Sequence, residues 1–301
     1  MRPRTLVLRT AGTNCDVETA HAFELAGASA RRVHLNRVLE NPRLLGDFQI
    51  LAIPGGFSYG DDIAAGRIFA NQITRRLRDA VRAFVDAGKP VIGVCNGFQV
   101  LVKTDLLPGP IGGREGQTCT LAHNDCGRFI DRWIRVSPRS SKCVWTQGLS
   151  QGSGFRVQGS AKPAETPLAA SSSFPEPRTL SPKALIELAI AHGEGKFVPA
   201  DESVRRALWD EDRVALVYVR PDGSAANGEA PDNPNGSVDD IAGVCDASGL
   251  VFGLMPHPER HVTPLQHPAW TRRQPLPAEG AGLAMFRNAV RHAAAGVGAG
   301  V

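Results

Sequence analysis

Residues 90–103 read PVIGVCNGFQVLVK, a continuous apolar run that passes straight into Cys-Asn-Gly and then into a helical pattern. A strand with no polar side has to be covered on both faces, and the usual solution is a parallel sheet clad in helices. The preceding residues agree with that demand. TLVLRT (5–10), ARRVHL (30–35) and QILAIP (49–54) read as strands, and Asp16 to Ala26 reads as a helix between the first two. Between Arg67 and Ala87, Ile73, Leu77, Val81, Phe84 and Val85 recur at spacings of three and four, which predicts one amphipathic helix that Gly88 ends. The expected fold class is therefore α/β, a mostly parallel, doubly wound sheet with flanking helices.

After Pro110 the pattern shifts toward strands: WIRV (133–136), KCVW (142–145), LIELAI (185–190), RVALVYV (213–219), IAGVC (241–245) and LVFGLM (250–255). Short spacings and the Asp-Ala-Ser-Gly turn at 246–249 predict antiparallel strands added to the same domain, which is taken to span 1–301. Ala281 to Ala294 closes the pattern as a helix with Leu283, Phe286 and Val290 inward. The stretch 147–182 is rich in Ser, Gly, Pro and Ala without apolar periodicity, so a mobile surface insertion is expected there, and a frayed tail at 295–301.

Composition narrows the function classes. A net charge of +4 on 301 residues, with dispersed arginines, gives no nucleic-acid footprint. The group Arg75, Arg76, Arg78 and Arg82 reads as a solvated helix face. Six scattered cysteines without a C-x-x-C pair argue against a zinc site or a disulfide scaffold, so free thiols, no metal and a cytoplasmic location are expected. The opening MRPRTLVLRTAGTN has only a short apolar run, which supports neither a signal peptide nor a membrane span. No Walker-type or G-x-G-x-x-G loop follows a strand.

G-V-C-N-G at 93–97 is a cysteine form of the nucleophile elbow, where a strand turns sharply into a helix and the nucleophile projects from the corner. A helix N-terminus favours a thiolate, and the backbone N–H of Asn96 is placed to stabilise an oxyanion. The Pro54-Gly55-Gly56-Phe57 loop, leaving the neighbouring strand, is the natural source of a second donor. A strand-end cysteine is also a common packing residue, and the elbow by itself leaves both readings open. A nucleophile needs a base and the base an orienting group. GLMPHPER (253–260) offers His257 and Glu259, whose H-x-E spacing on extended chain puts both side chains on one side.

GVCNGFQVL together with PHPER closely resembles the class I, or triad-type, glutamine amidotransferase family. GTNCD (12–16), PGGFSYGDD (54–62), HNDCGRF (123–129), AHGEGKF (191–197) and NPNGSVDDIAGV (233–244) further resemble the glutaminase subunits of phosphoribosylformylglycinamidine synthase, in the expected order. The resemblance implies a flavodoxin-like amidotransferase fold with Cys95 as nucleophile, His257 as acid/base, Glu259 as its orienter, and Gly55, Gly56 and Asn96 as the backbone oxyanion hole. It places Gln99 against the glutamine substrate. It implies hydrolysis of glutamine to glutamate and ammonia through a cysteine thioester, without a cofactor or metal in this chain, in de novo purine biosynthesis. ATP and Mg are expected on a separate large synthetase subunit, with a small accessory subunit in the same complex; nucleic acid and membrane are not expected partners. Rival readings are a catalytically silent scaffold subunit and a stand-alone γ-glutamyl cysteine hydrolase on the same fold. Cys15 is expected to be structural, Asp61 and Asp62 to form a solvated turn, and Asn233 and Asn235 to make turns, while His192 and Glu194 are flagged without a role. At 147–182 the chain departs from the compact family pattern, which implies a much shorter connection, and the departure bears on the local interface and on the length of the strands either side.

Overall fold

The apolar run at 91–94 lies inside the sheet, and all of its residues are buried. The structure, a computed structural model, describes residues 2–149 and 185–298. Strands β1 (Arg4–Arg9), β2 (Ser29–His34), β3 (Ile50–Ile53) and β4 (Val91–Val94) alternate with helices α1 (Asp16–Leu25), α2 (Leu35–Glu40), α3 (Arg67–Arg76) and α4 (Arg78–Asp86). Helix α5 (Asn96–Lys103) follows β4 with one residue between them. Further along come β5 (Cys119–Ala122), β6 (Ile130–Pro138), β7 (Ile186–His192), β8 (Lys196–Pro199), α6 (Glu202–Asp210), β9 (Val214–Tyr218), β10 (Ile241–Cys245), β11 (Val251–Leu254) and α7 (Leu283–Gly298).

The main sheet has the order β2-β1-β3-β4-β11-β10-β9-β6-β7, and β5 and β8 form a separate two-stranded antiparallel sheet. From β2 to β11 neighbouring strands run parallel; from β11 to β7 they run antiparallel. The turn at 246–249 makes β10 and β11 a hairpin, yet β11 inserts parallel to β4 with Leu254 opposite Val94. The ends of these two strands therefore deliver Cys95 and His257 to the same edge of the sheet, where open α/β folds place their ligands.

Both faces are covered. Phe252 and Gly253 are successive residues of β11 and so point to opposite sides. A Cβ on Gly253 would meet the Phe98 ring of α5 at 2.1 Å. Phe252 instead lies beside Trp145, which together with Phe286 of α7 surrounds Phe23 of α1. This is the doubly wound arrangement expected from the unbroken apolar strands.

Some local expectations need correction. The single helix expected over 67–87 is two, broken at Leu77 (φ −126°), because α3 packs on α5 while α4 packs on the Pro42–Asp47 turn. KCVW is not a strand: the Ser140 hydroxyl accepts the N–H groups of Lys142 and Cys143, and Val144–Thr146 curls into a 3₁₀ turn. Helices α2 and α6 and the small β5–β8 sheet were not anticipated. For α6 the signal was present, since the Asp201 carboxylate caps the N–H groups of Ser203 and Val204. The expected insertion lies outside the described residues from position 150 on. Helix α7 continues to Gly298, into the expected tail, and 299–301 lie outside the described residues. Among the described residues no helix is long and apolar enough to cross a membrane.

Candidate active site

Cys95 is the corner between β4 and α5, with φ +52° and ψ −106°, a conformation that L-residues rarely adopt. Its N–H donates to Leu254 O at 2.8 Å, which ties the corner to β11, and its side chain is only 6% exposed. The two elbow glycines are required by space. A Cβ on Gly93 would come within 2.5 Å of Gly97 O, and one on Gly97 within 1.9 Å of Ile53 O. The Cys95 thiol faces the carbonyl of Ala191 on β7 at 3.7 Å.

His257 follows β11 and is held by its N–H to Ala189 O of β7 at 2.8 Å. Its Nδ1 lies 2.6 Å from Glu259 Oε1, and the two side chains are 1% and 0% exposed. The carboxylate accepts from Nδ1, so Nε2 is the ring nitrogen left for chemistry, and no protein group satisfies it among the described residues. Burial disfavours charge on His257, but the Glu259 carboxylate and then the Cys95 sulfur outweigh it, holding the imidazole well above its ordinary pKa. The Glu259 carboxylate and the Cys95 sulfur thereby favour the imidazolium form of His257.

Gly55 lies where these groups converge. A Cβ there would be 2.8 Å from His257 Cε1, 3.2 Å from Cys15 Sγ and 3.4 Å from Cys95 Cβ. The Gly55–Gly56 turn is backed by the GTNCD segment: Cys15 N–H donates to Gly55 O at 3.3 Å and Phe57 N–H to Gly12 O at 2.9 Å. Gly56 has φ +136°, and a Cβ would strike Asn14 N and Gly12 O at 2.7 Å. The structure thereby gives GTNCD a buttressing position that the sequence reading had not assigned.

Cys15, expected to be structural, borders the triad directly. Its Sγ is 4.0 Å from His257 Nδ1 and accepts from Arg260 Nη2 at 3.3 Å. Cys15, His257 and Glu259 are also the one group of metal-capable donors found among the described residues, with donor atoms within 4.8 Å of one another. Two of these donors already have partners, Cys15 Sγ accepting from Arg260 and Glu259 Oε1 accepting from His257 Nδ1.

Gln99 projects from α5 with both ends of its amide engaged: Nε2 donates to Glu194 O at 2.6 Å and Oε1 accepts from Asn96 Nδ2 at 3.0 Å. Each end keeps one further hydrogen-bond capacity. His192 is buried and its Nδ1 meets Asn124 Oδ1 at 3.1 Å. Asn124, missed in the sequence reading, also accepts Gly195 N–H at 3.1 Å and so shapes the AHGEG turn. Asn235 reaches the same turn by donating to Gly195 O at 2.9 Å, which makes NPNG a support for the site wall. Asn233 and Asp240 hold the NPNG–SVDD loop itself, joined at 2.8 Å.

Similarity to known proteins identifies the family. A family model for the CobB/CobQ-like glutamine amidotransferase domain matches residues 2–173 and 177–293, which places the chain in the class of glutamine amidotransferases. Within that class the chain belongs to the family of phosphoribosylformylglycinamidine synthase subunits PurQ. It is 42% identical over 292 residues to that subunit from Dehalococcoides mccartyi, covering 96% of this chain and 97% of the relative. It is 41% identical over 274 residues to the one from Treponema denticola, covering 87% and 89%. The solved structure of PurLQS from Thermotoga maritima matches with a TM-score of 0.62 at 27% identity, covering 97% of this chain and 98% of that one.

Proposed function

We propose that this chain is the glutaminase subunit of a phosphoribosylformylglycinamidine synthase, supplying ammonia for de novo purine biosynthesis. The observation that carries the reading is the buried constellation itself: a strained elbow cysteine beside a histidine whose Nδ1 is held at 2.6 Å by a carboxylate. Family membership supplies the substrate class. In this reading Cys95 attacks as a thiolate, its proton held on His257, and the sulfur bonds to the side-chain amide carbon of glutamine while the carbonyl electron pair moves onto oxygen. The resulting oxyanion is stabilised by the N–H of Asn96, one of the first N–H groups of α5 with no partner within the helix, and by the Gly55–Gly56 turn.

His257 then donates its Nε2 proton to the departing nitrogen, the C–N bond breaks, and ammonia leaves a γ-glutamyl thioester on Cys95. Water attacks the thioester with His257 now accepting its proton, and glutamate is released as the thiolate re-forms. Glu259 keeps Nδ1 protonated throughout and does not itself exchange a proton. Gln99 contacts the substrate through the capacity its amide retains. The half-reaction asks for no cofactor in this chain. ATP and Mg belong to a separate large synthetase subunit, accompanied by a small accessory subunit. A cytoplasmic location completes the reading, in keeping with the free cysteines.

The test is to mix the chain with synthetase subunits and compare glutamine-dependent with ammonia-dependent amidine formation. Cys95→Ala is expected to abolish the first and leave the second unchanged. Glutamate release by Cys95→Ala would overturn the assignment of the nucleophile.

A further inference from the structure

The oxyanion turn and the nucleophile elbow come from different strands, so something must fix the distance between their N–H groups. The structure shows what does so. The Asn96 side-chain amide lies between the two segments: its Oδ1 accepts Ser58 N–H at 3.3 Å, just after the glycine turn. Its Nδ2 donates to Asp61 Oδ1 at 3.2 Å and to Gln99 Oε1 at 3.0 Å. Asp61 Oδ1 also accepts Gly66 N–H at 3.1 Å, at the N-cap of α3. An amide whose nitrogen faces two acceptors has its orientation set, because a flipped amide would put its oxygen against both.

Asp61 is held in an unusual way to do this. Tyr59, Gly60 and Asp61 all have positive φ, at 56°, 72° and 53°. Such a run is unfavourable for the two non-glycine residues and persists only where contacts over-determine it. The loop is also pinned from the other side by Tyr59 N–H to Ala11 O at 2.8 Å. The sequence predicts a solvated acidic turn for Asp61 and Asp62 together, as the simpler account beside a tether for substrate or partner loops. Only Asp62 fits that description: it is exposed, whereas Asp61 is partly buried and turned inward.

We infer that Asp61 is a positioning residue for the oxyanion hole, acting through the Asn96 side chain to hold the Gly55–Gly56 turn in register with the N–H of Asn96. It touches neither substrate nor thiol. The inference rests on the glutaminase reading above. Loss of the Asp61 acceptor leaves Asn96 Nδ2 with Gln99 alone and frees its side chain to release Ser58 N–H. The turn then drifts relative to the elbow, while Cys95, His257 and Glu259 stay in place. Removing one oxyanion donor outright costs about 10²- to 10³-fold in kcat, so displacing one is expected to cost roughly 10- to 100-fold.

The experiment uses the full chain assembled with its synthetase and compares Asp61→Ala, Asp61→Asn and Cys95→Ala. Asp61→Ala is expected to lower kcat for glutamine hydrolysis 10- to 100-fold with KM changed less than about threefold, since a donor used mainly in the transition state acts on kcat. Asp61→Asn keeps a carbonyl acceptor and is expected to recover most of the loss. Alkylation of Cys95 by iodoacetamide and ammonia-dependent amidine formation should be unchanged in both, which shows that the triad and the assembly are intact. Full activity of Asp61→Ala, no recovery in Asp61→Asn, or a parallel loss of alkylation would each overturn the inference. Failure of the glutaminase reading is separate, since it shows as glutamate release by Cys95→Ala.

Discussion

His192 and His257 are both buried, and their surroundings drive them in opposite directions. Asn124 Nδ2 donates to His192 O and Arg128 O, which leaves its Oδ1 as the acceptor for His192 Nδ1. His192 is therefore the Nδ1–H tautomer. Burial, and then the positive charge on His257, push its pKa down to about 3. A histidine whose folded pKa lies below its unfolded value of 6.5 withdraws stability as pH falls through 6.5, because only the unfolded chain gains the proton. His257 has the opposite sign: its contribution is complete below the unfolded pKa and is lost as pH rises through the raised folded value. His192→Asn keeps a donor at the Nδ1 position and removes only the first effect. The stability of wild type relative to His192→Asn, from urea unfolding, is expected to fall by roughly 1–3 kcal/mol between pH 7 and 4.5. A pH-independent difference would show that His192 is not held neutral. At this scale the grouping of Cys95, His257 and Glu259 was legible, because the chemistry proposed for it prescribes residue types at short spacings within each motif. Asn124, Cys15 and the inward turn of Asp61 were not, because each acts on residues far away in the chain.

The elbow shows what an element can impose on a residue. The strand must turn into α5 within one position, and Gly93 and Gly97 clear the space, yet the strained φ of +52° falls on Cys95, as the role proposed for its sulfur at the corner requires. A side chain thus stands where glycine would fit better. Cys95→Gly and Cys95→Ala both lose the sulfur and its interaction with His257, so they differ mainly in this backbone term. Cys95→Gly is expected to be the more stable of the two by roughly 1 kcal/mol, after allowing for glycine's greater freedom when unfolded. Equal urea midpoints would mean that the corner is not strained. Sequence periodicity found the helices and strands whose apolar faces are long and regular. It failed at Leu77 and at KCVW, where a change of packing partner or a Ser140 hydroxyl decides the local path.

Across the whole molecule, the site is assembled from both halves of the sheet. Cys95 and the Gly55–Gly56 turn belong to the parallel half, while Ala189 O, Ala191 O and the AHGEG turn come from β7 and the segment after it, at the far edge of the antiparallel half. The alternating pattern of the first hundred residues made the parallel half readable, but not this return. Pairing of β11 with β4 and the bridge from His257 to Ala189 join residues separated by long stretches of chain, and no local periodicity encodes such contacts. The same assembly leaves the triad almost wholly covered, with Cys95, His257 and Glu259 at 6%, 1% and 0% exposure. Access to Cys95 is narrow, and two loops near it expose aromatic rings toward each other, Phe57 beside Gly56 and Phe129 beyond Asn124, with centroids 6.4 Å apart. A chain whose candidate site is so covered is expected to hydrolyse glutamine slowly alone. Assembly with the synthetase should raise kcat/KM by about tenfold or more, as when binding completes a catalytic constellation. Comparable turnover with and without the synthetase would show that the isolated chain already holds an open, competent site.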